Sequence, residues 1–402
     1  MKDLTKNNGK TVRIEPFACW PFFEEDEIAA VSAVLQSGKV NYWTGEEGRL
    51  FEKEFAASVG VDHAVAVMNG SVALEAALMA LNIGDGDEVI VTPRSYIASA
   101  SCVVMRRAKP VFADVDRNSQ NITAETIEKV ITSRSRAIIA VHLAGWPCAM
   151  DEIMALAEKH GLAVIEDCAQ STGVLYKGCP VGSFGDVAAF SFCQDKIITT
   201  GGEGGMVTTN RHDIWDKIWS YKDHGKSFDV VYHRGHPPGF RWLHESFGTN
   251  WRMTEMQAAI GRVQLRKLSQ WLALRRRNAA VLTDDFSRIP GLRLTIPSQE
   301  IEHAYYKYYV FVEPEALKSG WSRDRIMTAL MAEGIPCGSG SCSEIYLEKA
   351  FEGNGLRPAE RLPVARELGE TSLMFMVHPT LSVDDMNDVV RAMDKIMRVA
   401  IR

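Results

Sequence analysis

Between Val65 and Asn210 short apolar runs alternate with amphipathic stretches, and this alternation leaves the chain few architectures to choose from. It is the rhythm of strands joined by crossover helices. The candidate strands are Ala64–Met68, Glu88–Thr92, Pro110–Val115, Ala137–His142, Ala163–Glu166, Val187–Phe192 and Met206–Thr209. Helical stretches separate the first five; Val72–Leu81, for instance, carries its apolar residues at helical spacing. The expected fold class is α/β, with an open, mostly parallel sheet covered on both faces. Ligands on such sheets bind beyond the C-terminal ends of the strands, so the chemistry belongs in the turns that leave them.

Beyond the sheet, Lys226 to Phe247 is rich in Gly, Pro, His and aromatic residues and carries few signals of regular structure. Met253 to Ile289 then runs without proline and with helical periodicity, long enough to bridge two domains. The remainder holds an apolar strand candidate, Tyr308–Val312, a helix over Arg325–Glu333 behind a cap-like Ser322, and a terminal helix after Ser382. The organisation expected is an N-terminal arm over 1–20, a large domain over 21–265 and a smaller C-terminal α+β domain over 266–402. A chain of 402 residues, 46% hydrophobic and 24% charged, suffices for two such cores.

Charge and composition exclude several function classes. A net charge of -6 argues against nucleic acid, because a duplex binder presents a basic stripe to the phosphates. Met1 to Val12 lacks the apolar run of a signal peptide, and no apolar stretch reaches spanning length, so no membrane partner and a cytoplasmic location are expected. Eight cysteines without a Cys-x-x-Cys pair read as reduced thiols. His233 and His236 have no neighbouring cysteines or carboxylates to complete a ligand set, so no metal site is expected.

Three turns carry chemistry. Asn69-Gly70-Ser71 leaves an apolar strand and opens a helix, whose exposed backbone amides form an anion site that glycine lets a phosphate approach. Taken alone it is a common tight turn, and no Gly-x-Gly-x-x-Gly dinucleotide fingerprint follows the strand. Ile165-Glu166-Asp167-Cys168-Ala169-Gln170 ends a buried strand on an acid, which is costly to ionise without a cationic partner. A protonated pyridine is such a partner; a structural salt bridge is the plainer one. Phe190-Ser191-Phe192 to Lys196, followed by the glycine run at 201–205, puts a lysine just beyond another strand. Burial there lowers an amine's pKa enough for Schiff-base chemistry, although most single lysines are surface charges. Together the turns offer a phosphate cradle, a buried carboxylate and an amine, the three parts a pyridoxal phosphate site needs.

The ordered set Asn69 to Leu74, Gly86 to Ile90, Pro110 to Asp116, Glu166 to Gln170, Phe190 to Lys196, Gly202 to Met206 and Gly248 to Met253 resembles the DegT/DnrJ/StrS family of sugar aminotransferases. The likeness implies the aspartate-aminotransferase-like fold (fold type I) and pyridoxal 5'-phosphate as cofactor, with pyridoxamine 5'-phosphate as intermediate. By the same resemblance Lys196 is the Schiff-base and proton-shuttling residue. Asp167 pairs with the ring nitrogen, Gln170 bonds the ring hydroxyl and Tyr96 stacks on the ring. Gly70, Ser71 and Ser191 hold the phosphate, and Asn250 reaches it from the other subunit of a homodimer with shared active sites. Two departures stand out: Asn69-Gly70-Ser71 replaces the frequent Ser-Gly-Thr, and Gly201-Gly202 holds one glycine more than Thr-Gly-Glu-Gly-Gly.

The implied reaction is ping-pong transamination from L-glutamate to a nucleotide-linked keto sugar, a 4-keto-6-deoxyhexose in the leading reading, for amino-sugar or surface-polysaccharide synthesis. Amination at C3 or of an inosose is the alternative within the family. A non-catalytic pyridoxal-phosphate-binding regulator is the alternative outside it, opposed by the intact Lys196 and Asp167. A nicotinamide oxidoreductase is disfavoured by the missing fingerprint. His233, Arg234, His236, Arg241 and Trp242 stand as a nucleotide wall or as dimer packing, and His224, His303 and Trp146 as substrate-side candidates.

Overall fold

The computed structural model describes residues 11–402, so residues 1–10 of the expected arm lie outside the described residues. Seven strands form the main sheet: β1 (His63–Val67), β2 (Glu88–Val91), β3 (Lys109–Phe112), β4 (Ser135–Val141), β5 (Ala163–Asp167), β6 (Val187–Ser191) and β7 (Gly205–Thr209). Their order is β1-β7-β6-β5-β4-β2-β3. Every pairing from β3 through β6 is parallel, while β7 runs antiparallel to both β6 and β1. The sheet is therefore mostly parallel, as the apolar runs predict, with one strand reversed.

Both faces are buried, which explains why the strands read as nearly continuous apolar runs. Alternation along each strand sends successive residues to opposite faces. Val65, Val67, Val89, Val91, Ile139, Ile165, Ala189 and Val207 pack under helices Gly70–Ala80, Ala98–Met105 and His212–Tyr221. Ala64, Ala66, Ile138, Val164, Ala188, Phe190 and Met206 face the opposite way, under helices Glu47–Val59 and Met150–His160. By this parity Asp167 and Ser191 emerge on the face of helix Gly70–Ala80, and Glu166 on the other.

The periodic stretch after the sheet is one helix, Glu255–Phe286, 32 residues and about 48 Å long. Thr254 opens it with a capping box closed by Gln257. Ala258 and Leu272 pack with the large sheet, whereas Ala279, Leu282 and Phe286 pack with a small antiparallel sheet, β8 (Leu292–Leu294), β9 (Tyr308–Val312) and β10 (Ser372–Phe375). Ser322 caps helix Arg323–Ala332 and Ser382 caps helix Val383–Ala400, each accepting a backbone N–H three residues on. Arg13 ties the segment before residue 20 to this region through Asp385 (2.7 Å) and Asp388 (2.8 Å). Residues 226–247 contain one short helix, Phe228–Tyr232, and otherwise irregular chain. Among the described residues no helix is long and apolar enough to cross a membrane.

Candidate active site

The turn after β1 is built as an anion cradle. Asn69 caps the following helix by accepting the Val72 N–H (3.0 Å), and helical geometry leaves the Gly70 and Ser71 amides without intrahelical acceptors. A Cβ on Gly70 would lie 2.6 Å from Ser191 Cβ, and one on Gly205 would lie 2.4 Å from Asn69 O. Only glycine permits that approach at either position, and it brings the Ser191 hydroxyl to the helix N-terminus. Backbone donors, a hydroxyl and the positive end of a helix suit a phosphate.

Asp167 ends β5 on the same face. Its carboxylate accepts from Ser99 Oγ (2.7 Å) and Ala169 N–H (3.1 Å), and among the described residues no cation pairs with it. Burial pushes its pKa above the ordinary carboxylate value, against the pull of Ser99, Ala169 and the more distant Lys196 and His142. A carboxylate held in this way is completed by a cation such as a protonated ring nitrogen. Glu166, one residue earlier, points the other way and is saturated. It accepts from Gly182 N–H, Phe184 N–H and Gly185 N–H, each at 2.8 Å, and from His142 Nε2 at 3.0 Å. His142 Nδ1 accepts from Cys148 N–H (3.0 Å), so its proton sits on Nε2 and donates to Glu166. Donor atoms of His142, Glu166 and Cys168 gather within 4.8 Å, yet hydrogen bonds already occupy both carboxylate oxygens and both ring nitrogens.

Lys196 lies in the turn beyond β6, its side chain 15% exposed. Burial lowers its pKa; Asp195 works against that shift and Lys307 adds to it. The amine donates to Tyr306 Oη (3.4 Å) and lies 3.9 Å from Asp195 Oδ1. Trp20 Nε1 donates to the Lys196 carbonyl (2.9 Å). The additional glycine noted in the sequence is accommodated by left-handed backbone at Gly201 (φ 83°) and Gly202 (φ 119°), where Gly202 bridges back to Cys193.

The remaining candidates divide. Gln170 is buried and its carbonyl accepts from Ala144 N–H (2.9 Å), which leaves the amide NH2 as its donor end for a ligand oxygen. Tyr96 is 70% exposed on the turn after β2, one helical turn before Ser99. Asn250 is exposed and bridges to Asp223, and its neighbour Trp251 accepts from Met68 N–H (2.9 Å) beside the end of β1. In the 226–247 loop His233 does have a carboxylate beside it, contrary to the expectation from sequence, since it and Arg234 pair with Asp229, while His236 bonds the Val230 carbonyl. Burial drives the pKa of His303 down to about 3, with Arg276 adding to the effect, and Trp146 packs edge-on to its ring. His224 is exposed. Sequence reasoning missed Ser99, Trp20, Asp195 and Tyr306. Ser99 stood three residues after Tyr96 and was within reach of a helical-spacing argument; Trp20 and Tyr306 lie 176 and 110 residues from Lys196 and had no local signal.

The buried acid without a cation, the desolvated amine and the glycine cradle have the chemistry that pyridoxal phosphate requires. Comparison with known proteins agrees. Residues 21–394 match the model of the DegT/DnrJ/EryC1/StrS aminotransferase family. The chain is 36% identical over 383 residues to the spore coat polysaccharide biosynthesis protein SpsC of Bacillus subtilis, covering 94% of this chain and 96% of that one. It is 37% identical over 366 residues to the GDP-perosamine synthase of Caulobacter vibrioides, covering 88% and 92%. The crystal structure of an aminotransferase from Psychrobacter cryohalolentis superposes with a TM-score of 0.94 at 56% identity, covering 96% and 99%. The chain belongs to the DegT/DnrJ/EryC1/StrS aminotransferase family and is a pyridoxal-phosphate-dependent sugar aminotransferase.

Proposed function

We propose that the protein moves an amino group from L-glutamate to a nucleotide-linked 4-keto-6-deoxyhexose, using Lys196 as the cofactor-holding amine. The observation that supports the site assignment is a buried amine, Lys196, near enough to a buried carboxylate without a cation, Asp167, for each to feel the other's charge, with Asp167 on the face that holds the phosphate turn. Bound pyridoxal phosphate supplies an aldehyde that carries the amino group and a ring that takes up electron density. Lys196 holds and moves the proton at the reacting carbon, and Asp167 keeps the ring nitrogen protonated. Gln170 donates to the ring oxygen, Tyr96 covers one ring face, and Gly70, Ser71 and Ser191 anchor the phosphate. The name of the similar GDP-perosamine synthase supports a nucleotide-linked acceptor.

The active form in this reading is a homodimer in which Asn250 reaches the phosphate of the neighbouring subunit. The exposed Phe240 (76%), Trp242 (84%) and Phe247 (100%) support burial of the 226–247 loop by a second copy or by the nucleotide. The working division is an arm over 1–20, a cofactor domain over 21–265 and a small domain over 266–402, supported by the two halves of the long helix packing in different clusters. Eight free cysteines suit the cytoplasm.

Holoenzyme mixed with L-glutamate is expected to lose its visible absorption and release 2-oxoglutarate. Nucleotide-linked 4-keto-6-deoxyhexoses should then restore the band as amino sugar forms. Restoration by a 3-keto sugar or an inosose alone would move the substrate assignment, and no response to any amino donor would overturn it.

A further inference from the structure

Tyr306 comes to Lys196 from just before β9, 110 residues away, and does more there than fill space. Tyr306 is 5% exposed, its hydroxyl donates to Asp195 Oδ2, and its oxygen accepts from Lys196 Nζ at 3.4 Å. With its proton directed to Asp195, Tyr306 offers the amine a lone pair. The backbone that carries Tyr306 is held by Arg275, which is fully buried on the long helix and donates to the carbonyls of Tyr305 and Tyr306 at 3.4 Å. The Arg275 guanidinium also lies 5.2 Å over the ring of Trp20, which itself bonds the Lys196 carbonyl. The contacts thus close a circuit around the lysine, from its carbonyl through Trp20, Arg275 and Tyr306 to its amine.

We propose that Tyr306 and Asp195 govern the direction and protonation of the Lys196 amine, Tyr306 by contact with the reacting nitrogen and Asp195 as a positioning residue acting through Tyr306 and by its charge. The inference rests on the reading of Lys196 as the cofactor-holding amine. When the ammonium becomes nucleophilic, its proton passes to Tyr306 Oη while the Tyr306 proton passes to Asp195 Oδ2. Lys196 is left as a neutral amine, Tyr306 is unchanged, and Asp195, 48% exposed, releases the proton to water. The charged and titratable groups facing the amine are Asp195, Asp167 and Cys193, which favour the ammonium, and Lys307, which opposes it together with burial. Arg275 faces Tyr306 and Asp195 from the long helix.

The test is the pH dependence with which cyanate carbamylates Lys196 in the full-length, cofactor-free chain, read by peptide mass mapping. Asp195→Asn is expected to move the midpoint down by roughly one pH unit or more, because an opposite charge is lost, and Asp195→Glu should restore it. Tyr306→Phe keeps the ring and the Asp195 charge, so its midpoint should move less, while capture of added pyridoxal phosphate by Lys196 slows roughly tenfold or more. An unmoved midpoint in Asp195→Asn, or undiminished capture in Tyr306→Phe, overturns the proposal. Borohydride reduction of the holoenzyme examines the underlying reading separately: cofactor fixed on another residue would overturn the role of Lys196 itself.

Discussion

Glu166 and Asp167 are adjacent carboxylates on one strand, 0% and 4% exposed, and the two faces of the sheet give them opposite fates. On one face Glu166 meets the 182–185 turn and His142, and four hydrogen bonds consume its lone pairs. On the other, among the described residues the Asp167 carboxylate accepts only from Ser99 and Ala169 and has no cation paired with it. Burial is nearly equal, so burial does not separate the structural acid from the one proposed to meet the cofactor. The separation lies in how many donors the fold aims at each carboxylate. A saturated acid locks a turn in place, whereas an undersupplied one holds capacity for a ligand.

The largest effect that would break this contrast is on stability. Glu166→Ala leaves His142 and three backbone N–H groups without an acceptor and should cost about 4 kcal/mol in denaturant unfolding. A loss below about 1 kcal/mol would show that Glu166 is not the lock described here. Asp167→Asn is expected to slow the glutamate half-reaction about a hundredfold, about 2.7 kcal/mol of barrier, without comparable loss of stability. Stopped-flow spectra of holoenzyme measure it, and near-wild-type rates would erase the functional half of the contrast. Ser99→Ala removes one of two donors from Asp167 and should cost about 1.5 kcal/mol of stability in the cofactor-free chain at neutral pH.

The smallest effect is a pH dependence. Burial raises the folded-state pKa of Asp167, so the folded chain keeps this proton where the unfolded chain has lost it. The stability tied to the residue is therefore full below the ordinary value of 3.8 and declines as pH rises through the raised one. In the cofactor-free chain Asp167→Asn should melt above the wild type at pH 8 and lose that advantage toward pH 4. Added pyridoxal phosphate should reverse the order by supplying wild-type Asp167 with its cation. A scanning calorimetry series in which the variant never exceeds the wild type would contradict the uncompensated burial of Asp167.

The fold was legible because its signals are local. All seven sheet strands, the long helix and the Ser322 and Ser382 caps follow from periodicity and capping within short windows. The reversal of β7 did not, since an apolar run carries no record of strand direction. Gly70, Asp167 and Lys196 stood out as candidates for a related reason, since each follows an apolar strand and a parallel sheet gathers such ends at one edge, whereas Ser191 entered only through the family resemblance.

By itself, then, the sequence determined the layered sheet and the strand-end turns that bring a glycine, an acid and an amine to one edge. Only the tertiary structure decided which acid is satisfied and which is not, and which residues surround the lysine. Those outcomes depend on hydrogen bonds between positions far apart in the chain: Ser99 with Asp167, the 182–185 turn with Glu166, and Trp20 and Tyr306 with Lys196. A carboxylate or an amine acquires its pKa from such neighbours and from exclusion of water, and neither exists until the strands and the long helix have packed.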